Sequence, residues 1–252
     1  MKRIKIINTL KFFISKIFRL RNFFKYKTKF GNVFLDESNT GISKVIAIYG
    51  SREDDKQYLL KESIENKTIY LDLGSNIGVY PFLVSGLLDS KSFLICIEPD
   101  IRNHKTLLKN FKNCDTQKIF LPYAISNKDQ KSKFILSKYT NLNYLVDDQS
   151  IVNENSEFIE IETISFNTLV RKFIPKYYLN NEYKLLIRMD IEGGERDVLK
   201  SIDQFLADNK PLFRSISIIY ENHPPNIQQL DNYGTTLKNL IKKGFKINKI
   251  IS

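Results

Sequence analysis

Residues 68–78, Thr-Ile-Tyr-Leu-Asp-Leu-Gly-Ser-Asn-Ile-Gly, decide how the rest of this 252-residue chain is read. Ile69 to Leu71 is a short apolar, partly β-branched run, long enough for a buried strand and too short for a helix. Asp72 closes it. Gly74 and Gly78 then bracket a tight turn, and Val79 to Leu88 resumes an apolar pattern of helical length, with Pro81 where a first helical turn tolerates it. The unit is strand, glycine loop, helix. In an open parallel sheet such a junction opens at the carboxyl end of the strand, where ligands bind because side chains and helix amino termini converge there. The expected use of Gly74 is to let a ligand approach the backbone, since it has no Cβ.

The spacing of the loop narrows the ligand. A dinucleotide fingerprint needs Gly-x-Gly-x-x-Gly to seat a pyrophosphate on backbone N–H groups, and Asn76 stands where the middle glycine belongs. A nicotinamide oxidoreductase is therefore disfavoured. Ser92 to Ile97 is a second apolar strand pattern ending in Glu98-Pro99, a carboxylate placed to accept both hydroxyls of a ribose. Asp72 and Glu98 thus close successive strands, a pairing that favours an adenosine ligand without phosphates.

Length allows one α/β domain with a full core, and no Gly/Ser/Pro linker or internal repeat divides the chain. Cys96 and Cys114 are too few for a disulfide framework or a zinc site, which fits a reducing, cytoplasmic setting. The net charge of +11 is local: residues 1–30 hold ten Lys and Arg and no acid, leaving 29 basic residues against 28 acids elsewhere. A near-neutral body argues against a nucleic-acid groove across it.

The boundary is placed between a basic amphipathic arm, 1–30, and a catalytic domain, 31–252. On a helical wheel Ile6, Leu10, Phe13, Ile14, Ile17, Leu20 and Phe24 share one side of the arm. Lys5, Asn8, Lys11, Ser15, Lys16, Arg19 and Asn22 share the other, and Phe12 breaks the pattern. Lys11 and Lys16 interrupt any secretory or membrane-spanning core. Two readings remain: a helix over residues 1–29 lying on an anionic membrane at the inner face of the cytoplasmic membrane, or a helix docked on the domain with a solvated basic face.

Further along, Val45 to Tyr49 is expected as a strand, with a helix to about Ile64 leading into the central one. Asp100 to Phe111 is expected as a helix with Ile101, Leu107, Leu108 and Phe111 inward, carrying His104 as a surface or capping residue. Lys118 to Leu121 is a third strand, and the following segment with Ala124 suits a wall for an adenine ring. Phe134 to Ser137 and Phe158 to Ile164 alternate as strands of a flanking segment, joined by a polar loop over the site. Leu185 to Met189 is a fourth core strand delivering Asp190-Ile-Glu192-Gly-Gly-Glu195. Asp190 and Glu192 should face the crevice, whereas Glu195 and Asp197 belong to the first turn of a helix, where acids stabilise the dipole. Phe213 to Tyr220 is a fifth strand before His223, Tyr233 to Lys243 is a last helix, and Phe245 to Ile251 is a candidate closing strand.

Taken together, Asp72 to Gly78, Glu98-Pro99, Ala124-Ile-Ser126 and Arg188-Met-Asp-Ile-Glu-Gly-Gly-Glu195 resemble the FkbM family of S-adenosylmethionine-dependent methyltransferases, from about Tyr49 to Glu221. Ser75, Arg188, Gly194 and Ser201 stand where the family usually has Ala, Lys, Ala and Gly; none of these departures removes a carboxylate. The resemblance implies a class I methyltransferase fold: a doubly wound, mainly parallel seven-stranded sheet with helices on both faces. It implies S-adenosyl-L-methionine as cofactor, with Asp72, Gly74, Asn76 and Gly78 at its amino-acid end, Glu98 with Pro99 at its ribose, and no metal. It further implies O-methylation of a hydroxyl on a sugar or a glycan or polysaccharide precursor. Asp190 or His223 is then the candidate base, and Glu192 the residue that orients the acceptor.

Alternatives are an N-methyltransferase acting on another acceptor, or a membrane-attached S-adenosylmethionine-binding protein without turnover. Base amino-methylating enzymes usually carry an Asn/Asp-Pro-Pro-aromatic loop after the fourth strand, which Asp190-Ile-Glu192-Gly lacks. Cofactor binding with no methyl transfer would support the binding protein.

Overall fold

The structure, a computed structural model, describes residues 2–20, 23–37, 41–137, 143–146, 157–208, 210–221 and 230–245. In chain order a helix α1 (Lys2–Ile17) leads to a hairpin of β1 (Lys25–Thr28) and β2 (Gly31–Phe34), then to α2 (Ile42–Tyr49) and α3 (Asp54–Ser63). There follow β3 (Thr68–Leu73), α4 (Val79–Ser85), β4 (Phe93–Ile97), α5 (Ile101–Phe111) and β5 (Gln117–Leu121). A flanking segment holds β6 (Ala124–Ser126), β7 (Gln130–Ile135), β8 (Tyr144–Val146), β9 (Phe158–Ser165) and α6 (Phe166–Phe173). The chain returns through β10 (Lys184–Met189), α7 (Glu195–Asp208), β11 (Ser215–Tyr220) and α8 (Leu230–Lys242).

The central sheet is wholly parallel, in the order β11-β10-β3-β4-β5. The resemblance implies seven strands; among the described residues the central sheet has five, and the candidate closing strand falls almost entirely on residues outside them. β6, β9, β7 and β8 form a second sheet of their own in that order, with only the β6–β9 pair parallel.

Alternation along the central strands sends side chains to two cores. Ile69, Leu71, Ile95, Leu185 and Ile187 pack with Phe166, Leu169, Val198 and Ile202 of α6 and α7. Tyr70, Leu94, Cys96 and Leu186 pack on the opposite face with Ile46, Leu60, Val84 and Leu107 of α2 to α5, joined by Phe12 of α1. Strands buried on both faces need continuous apolar runs, and a run such as Lys-Leu-Leu-Ile-Arg-Met tolerates its two cations only because each meets a carboxylate.

Three local expectations need correction. Val45 to Tyr49 is helical, not a strand. Ser43, Ile46 and Ala47 form a buried face at helical spacing, and the left-handed Gly50 closes the helix by donating its N–H to the Ile46 carbonyl. Burial of one helical stripe outweighs the β preference of Val-Ile-Ala-Ile-Tyr. In α5 the inward residues are Asn103, Thr106, Leu107, Asn110 and Phe111, while Ile101 and Leu108 are exposed. The expected 1–29 helix stops at Ile17, because Tyr26 is drawn into the core as part of a strand.

Candidate active site

The carboxyl ends of β3, β4 and β10 converge, and the loop after β3 is pinned there by backbone bonds. Gly74 and Ser75 both donate their N–H to the Ile97 carbonyl, each at 3.0 Å. That leaves Asn76, in the left-handed region at φ 49°, with its N–H 2.7 Å from Glu98 Oε2. The other oxygen of Glu98 accepts from the Asp100 N–H at 2.9 Å and from Asn103 Nδ2 at 3.2 Å. Glu98 is only 6% exposed, and burial pushes its pKa up to about 7 against the pull of these donors. His104 reaches back to the Glu98 carbonyl at 2.6 Å, so the start of α5 is tied to the end of β4.

Around this carboxylate lies one cavity. Gly74, Ser75, Asn76, Glu98 and Pro99 form one side; Tyr123, Ala124 and Ile125, with Phe134 and Leu145 of the second sheet, form an apolar wall; Arg52, Glu53, Asp190, Ile191 and Glu192 complete it. Of the residues singled out in the sequence, Gly74, Asn76, Glu98, Pro99, Ala124, Asp190 and Glu192 therefore share one space. Asp72 and Gly78 do not line it. A Cβ on Gly78, at φ 82°, would lie 3.2 Å from the Phe111 ring, so this glycine serves the packing of α4 on α5. A Cβ on Gly74 would lie 2.1 Å from the carbonyl oxygen of Asp190. The room left by its missing Cβ is filled by the protein's own β10 loop, while Gly74 itself lines the cavity. His223 lies outside the described residues. The buried carboxylate beside an apolar wall suits an adenosine, whose ribose hydroxyls donate and whose base is flat and apolar on its faces.

Residues 72–247 match the family described as the Methyltransferase FkbM domain. The chain belongs to this family. S-adenosyl-L-methionine is the family's methyl donor. No curated protein matches the chain in sequence. Among solved structures, precorrin-6y C5,15-methyltransferase from Geobacter metallireducens is 10% identical, over 78% of this chain and 74% of its own, with a TM-score of 0.36. Aeropyrum pernix fibrillarin, solved with natively bound S-adenosyl-L-methionine, is 12% identical over 79% and 68%, with a TM-score of 0.40. The family match carries the assignment.

In this FkbM methyltransferase the floor of the cavity is built on Arg188, which sequence reasoning noted only as a departure from the usual Lys. The signal was there: an arginine inside an apolar strand run must find anions. Its Nη1 lies 3.2 Å from Asp72 Oδ1 and its Nη2 2.7 Å from Asp190 Oδ2, while the Tyr80 ring sits 4.1 Å from its guanidinium carbon. Burial alone would lower the pKa of Arg188, but Asp72 and Asp190 overcome it and keep the cation charged. Tyr70 donates its hydroxyl to Asp72 at 2.9 Å.

Arg52 and Glu53, immediately before α3, are part of the cavity as well. Tyr80 donates its hydroxyl to Glu53 at 2.5 Å, and Arg52 Nε donates to the same carboxylate at 2.5 Å. Burial would raise Glu53, yet Tyr80, Arg52 and Lys56 together hold its carboxyl below the ordinary range. Lys56 also pairs with Glu221 at the end of β11, joining the far strand to this side of the site. Glu195, 2% exposed, accepts the Ile191 N–H at 3.2 Å and the Gly193 N–H at 3.0 Å. It holds the loop that carries Asp190 and Glu192, the latter in the left-handed region at φ 54°.

Proposed function

We propose that this methyltransferase acts on a hydroxyl oxygen of a sugar or of a glycan or polysaccharide precursor. The observation that carries the reading is the composition of the cavity beyond Glu98: Arg52, Glu53, Asp190 and Glu192 ring it with charged hydrogen-bonding groups. A polyhydroxylated acceptor can replace the water around such groups with its own hydrogen bonds, whereas an apolar acceptor would displace that water and put nothing in its place.

Within this reading Glu98 accepts the ribose hydroxyls, Gly74 to Asn76 with Pro99 border the rest of the cofactor, and Ala124, Ile125 and Tyr123 face the base. Bound S-adenosylmethionine supplies a methyl carbon already made electrophilic by the sulfonium. The chain's own residues have three tasks: to align the acceptor, to exclude water and to take up a proton. Asp190 suits the proton task because it ends β10 at the cavity and its carboxylate is oriented by Arg188 Nη2. Glu192 and the Arg52–Glu53 pair suit the orientation of neighbouring hydroxyls. Asp72, below the floor, suits the positioning of Arg188 in place of direct contact with the cofactor.

The test is incubation of the full chain with S-adenosylmethionine and a panel of sugars, nucleotide sugars and oligosaccharides, with mass spectrometry of each acceptor. A gain of one methylene mass on a carbohydrate, placed on oxygen by nuclear magnetic resonance, is the expected result. Transfer confined to amino groups, or cofactor binding with no product on any acceptor, would overturn it.

A further inference from the structure

Helix α1 docks on the domain by the side the sequence marks as polar. Asn8, Phe12 and Ser15, one helical stripe, are 1–2% exposed. Asn8 Nδ2 donates to the Lys27 carbonyl at 2.9 Å and Lys11 Nζ to the Lys25 carbonyl at 2.8 Å, so the helix is bound to β1 by side chains as well as by Phe12 in the core. The apolar stripe points the other way. Ile6, Leu10, Phe13 and Ile17 fall within a narrow arc of the wheel and are 67%, 59%, 50% and 72% exposed. A helix that only had to cover the domain would bury those four residues first, since each large apolar side chain withdrawn from water contributes about 1.5–3 kcal/mol.

We infer that this outward stripe of α1 seats the enzyme on an anionic bilayer surface. Charge selects the occupant. Residues 1–30 carry ten basic residues and no acid; Lys5 and Lys16 are exposed on the flank between the stripe and the docked side, and Arg19 is exposed just past the end of the helix. Pairing of two such faces in a symmetric dimer would set cations against cations, whereas acidic headgroups neutralise them and the acyl boundary takes the four apolar side chains. No helix among the described residues is long and apolar enough to cross a membrane, so the contact is an interfacial one. Because α1 is bonded to β1, the surface it seats on holds the catalytic body in a fixed orientation. The inference is independent of the acceptor's identity.

The experiment is sedimentation of the full chain with vesicles of phosphatidylcholine alone or mixed with phosphatidylglycerol, in low and high salt. Binding to the mixed vesicles only, weakened by salt, is expected. Phe13→Ser with Ile17→Ser, and separately Lys5→Glu with Lys16→Glu, should each weaken it by at least about tenfold. Both pairs are largely exposed, with only the Phe13 edge on Phe12 and Lys5 over the Tyr49 ring touching the domain, so the melting temperature should fall by no more than a few degrees while vesicle binding is lost. No binding to the mixed vesicles, unchanged binding in both variants, or a wild-type dimer in sedimentation velocity that the serine variant dissolves would each overturn the inference.

Discussion

Arg188 and Asp72 face each other across neighbouring parallel strands in direct register, and their ion pair, with Nη1 3.2 Å from Oδ1, forms the buried base of the cavity. Removing the cation would leave a fully buried carboxylate beside the Tyr70 hydroxyl. Arg188→Met should therefore cost about 3–5 kcal/mol in chemical denaturation, the usual penalty for breaking a buried pair from one side. Adding Asp72→Asn should recover a large part of it. A single variant within 1 kcal/mol of the wild type would show that the pair is not held as described.

Glu98 makes binding and stability depend on pH in opposite directions. Its pKa rises from 4.5 to about 7 on folding, so its contribution to stability is fully present below the unfolded value and is lost as pH rises through about 7. Ribose hydroxyls donate to the ionised form. Affinity for S-adenosylhomocysteine should thus climb from pH 5.5 towards a plateau above about 7, by up to tenfold per unit. Glu98→Gln should flatten both curves, with calorimetry reading weaker binding at high pH. Affinity independent of pH in the wild type would count against a carboxylate–ribose contact.

Gly74 and Gly193 both have positive φ, 81° and 103°, but only the first is crowded. Gly74→Ala would drive a methyl onto the Asp190 carbonyl and should cost at least about 3 kcal/mol. Gly193→Ala meets nothing within 4 Å and should cost only the backbone strain, about 1–2 kcal/mol. Similar melting temperatures for the two variants would mean that the β3 and β10 loops do not press together.

These contrasts show what the sequence could carry. The central strands β3, β4 and β10 were legible because they are buried on both faces and run almost wholly apolar, the half-buried edge strands β5 and β11 because of their β-branched and aromatic letters, and Glu98 and Asp190 because each follows a buried run. The helix at Ile42–Tyr49 was not, since its β-branched letters and its helical burial stripe point to different elements, and only packing chooses. Likewise Phe12 breaks the amphipathic pattern of α1 on the wheel because that pattern describes the outward face, while the docking side is set by Asn8, Phe12 and Ser15. Gly74 was legible as a glycine of the site but not in what else requires it: the carbonyl that excludes its side chain comes from Asp190, 116 residues away in sequence, a contact no local pattern encodes. Arg52 and Glu53 enter the site through Tyr80 for the same reason.

The last prediction separates proton transfer from alignment at the end of β10. Asp190→Asn keeps an oxygen to accept from Arg188 Nη2 and keeps the shape of the loop, but it removes the negative charge and the capacity to take a proton. If Asp190 takes the acceptor's proton, methyl transfer in this variant should fall by about 10²–10⁴ in kcat while cofactor affinity stays within about twofold. Glu195→Gln is the control for disturbance of the loop. It retains an oxygen for one of the two N–H groups of Ile191 and Gly193, so it should lower stability by about 1.5–3 kcal/mol and leave kcat near that of the wild type at temperatures where it is folded. Glu53→Gln tests a second carboxylate of the cavity, whose Tyr80 and Arg52 donors hold it ionised and make it a weak base; it should raise the acceptor KM more than it lowers kcat. A large kcat loss in Glu53→Gln with a mild one in Asp190→Asn would move the base to the start of α3. Full turnover in both would mean that neither carboxylate takes the proton, and would return that role to His223, to Glu192 or to solvent.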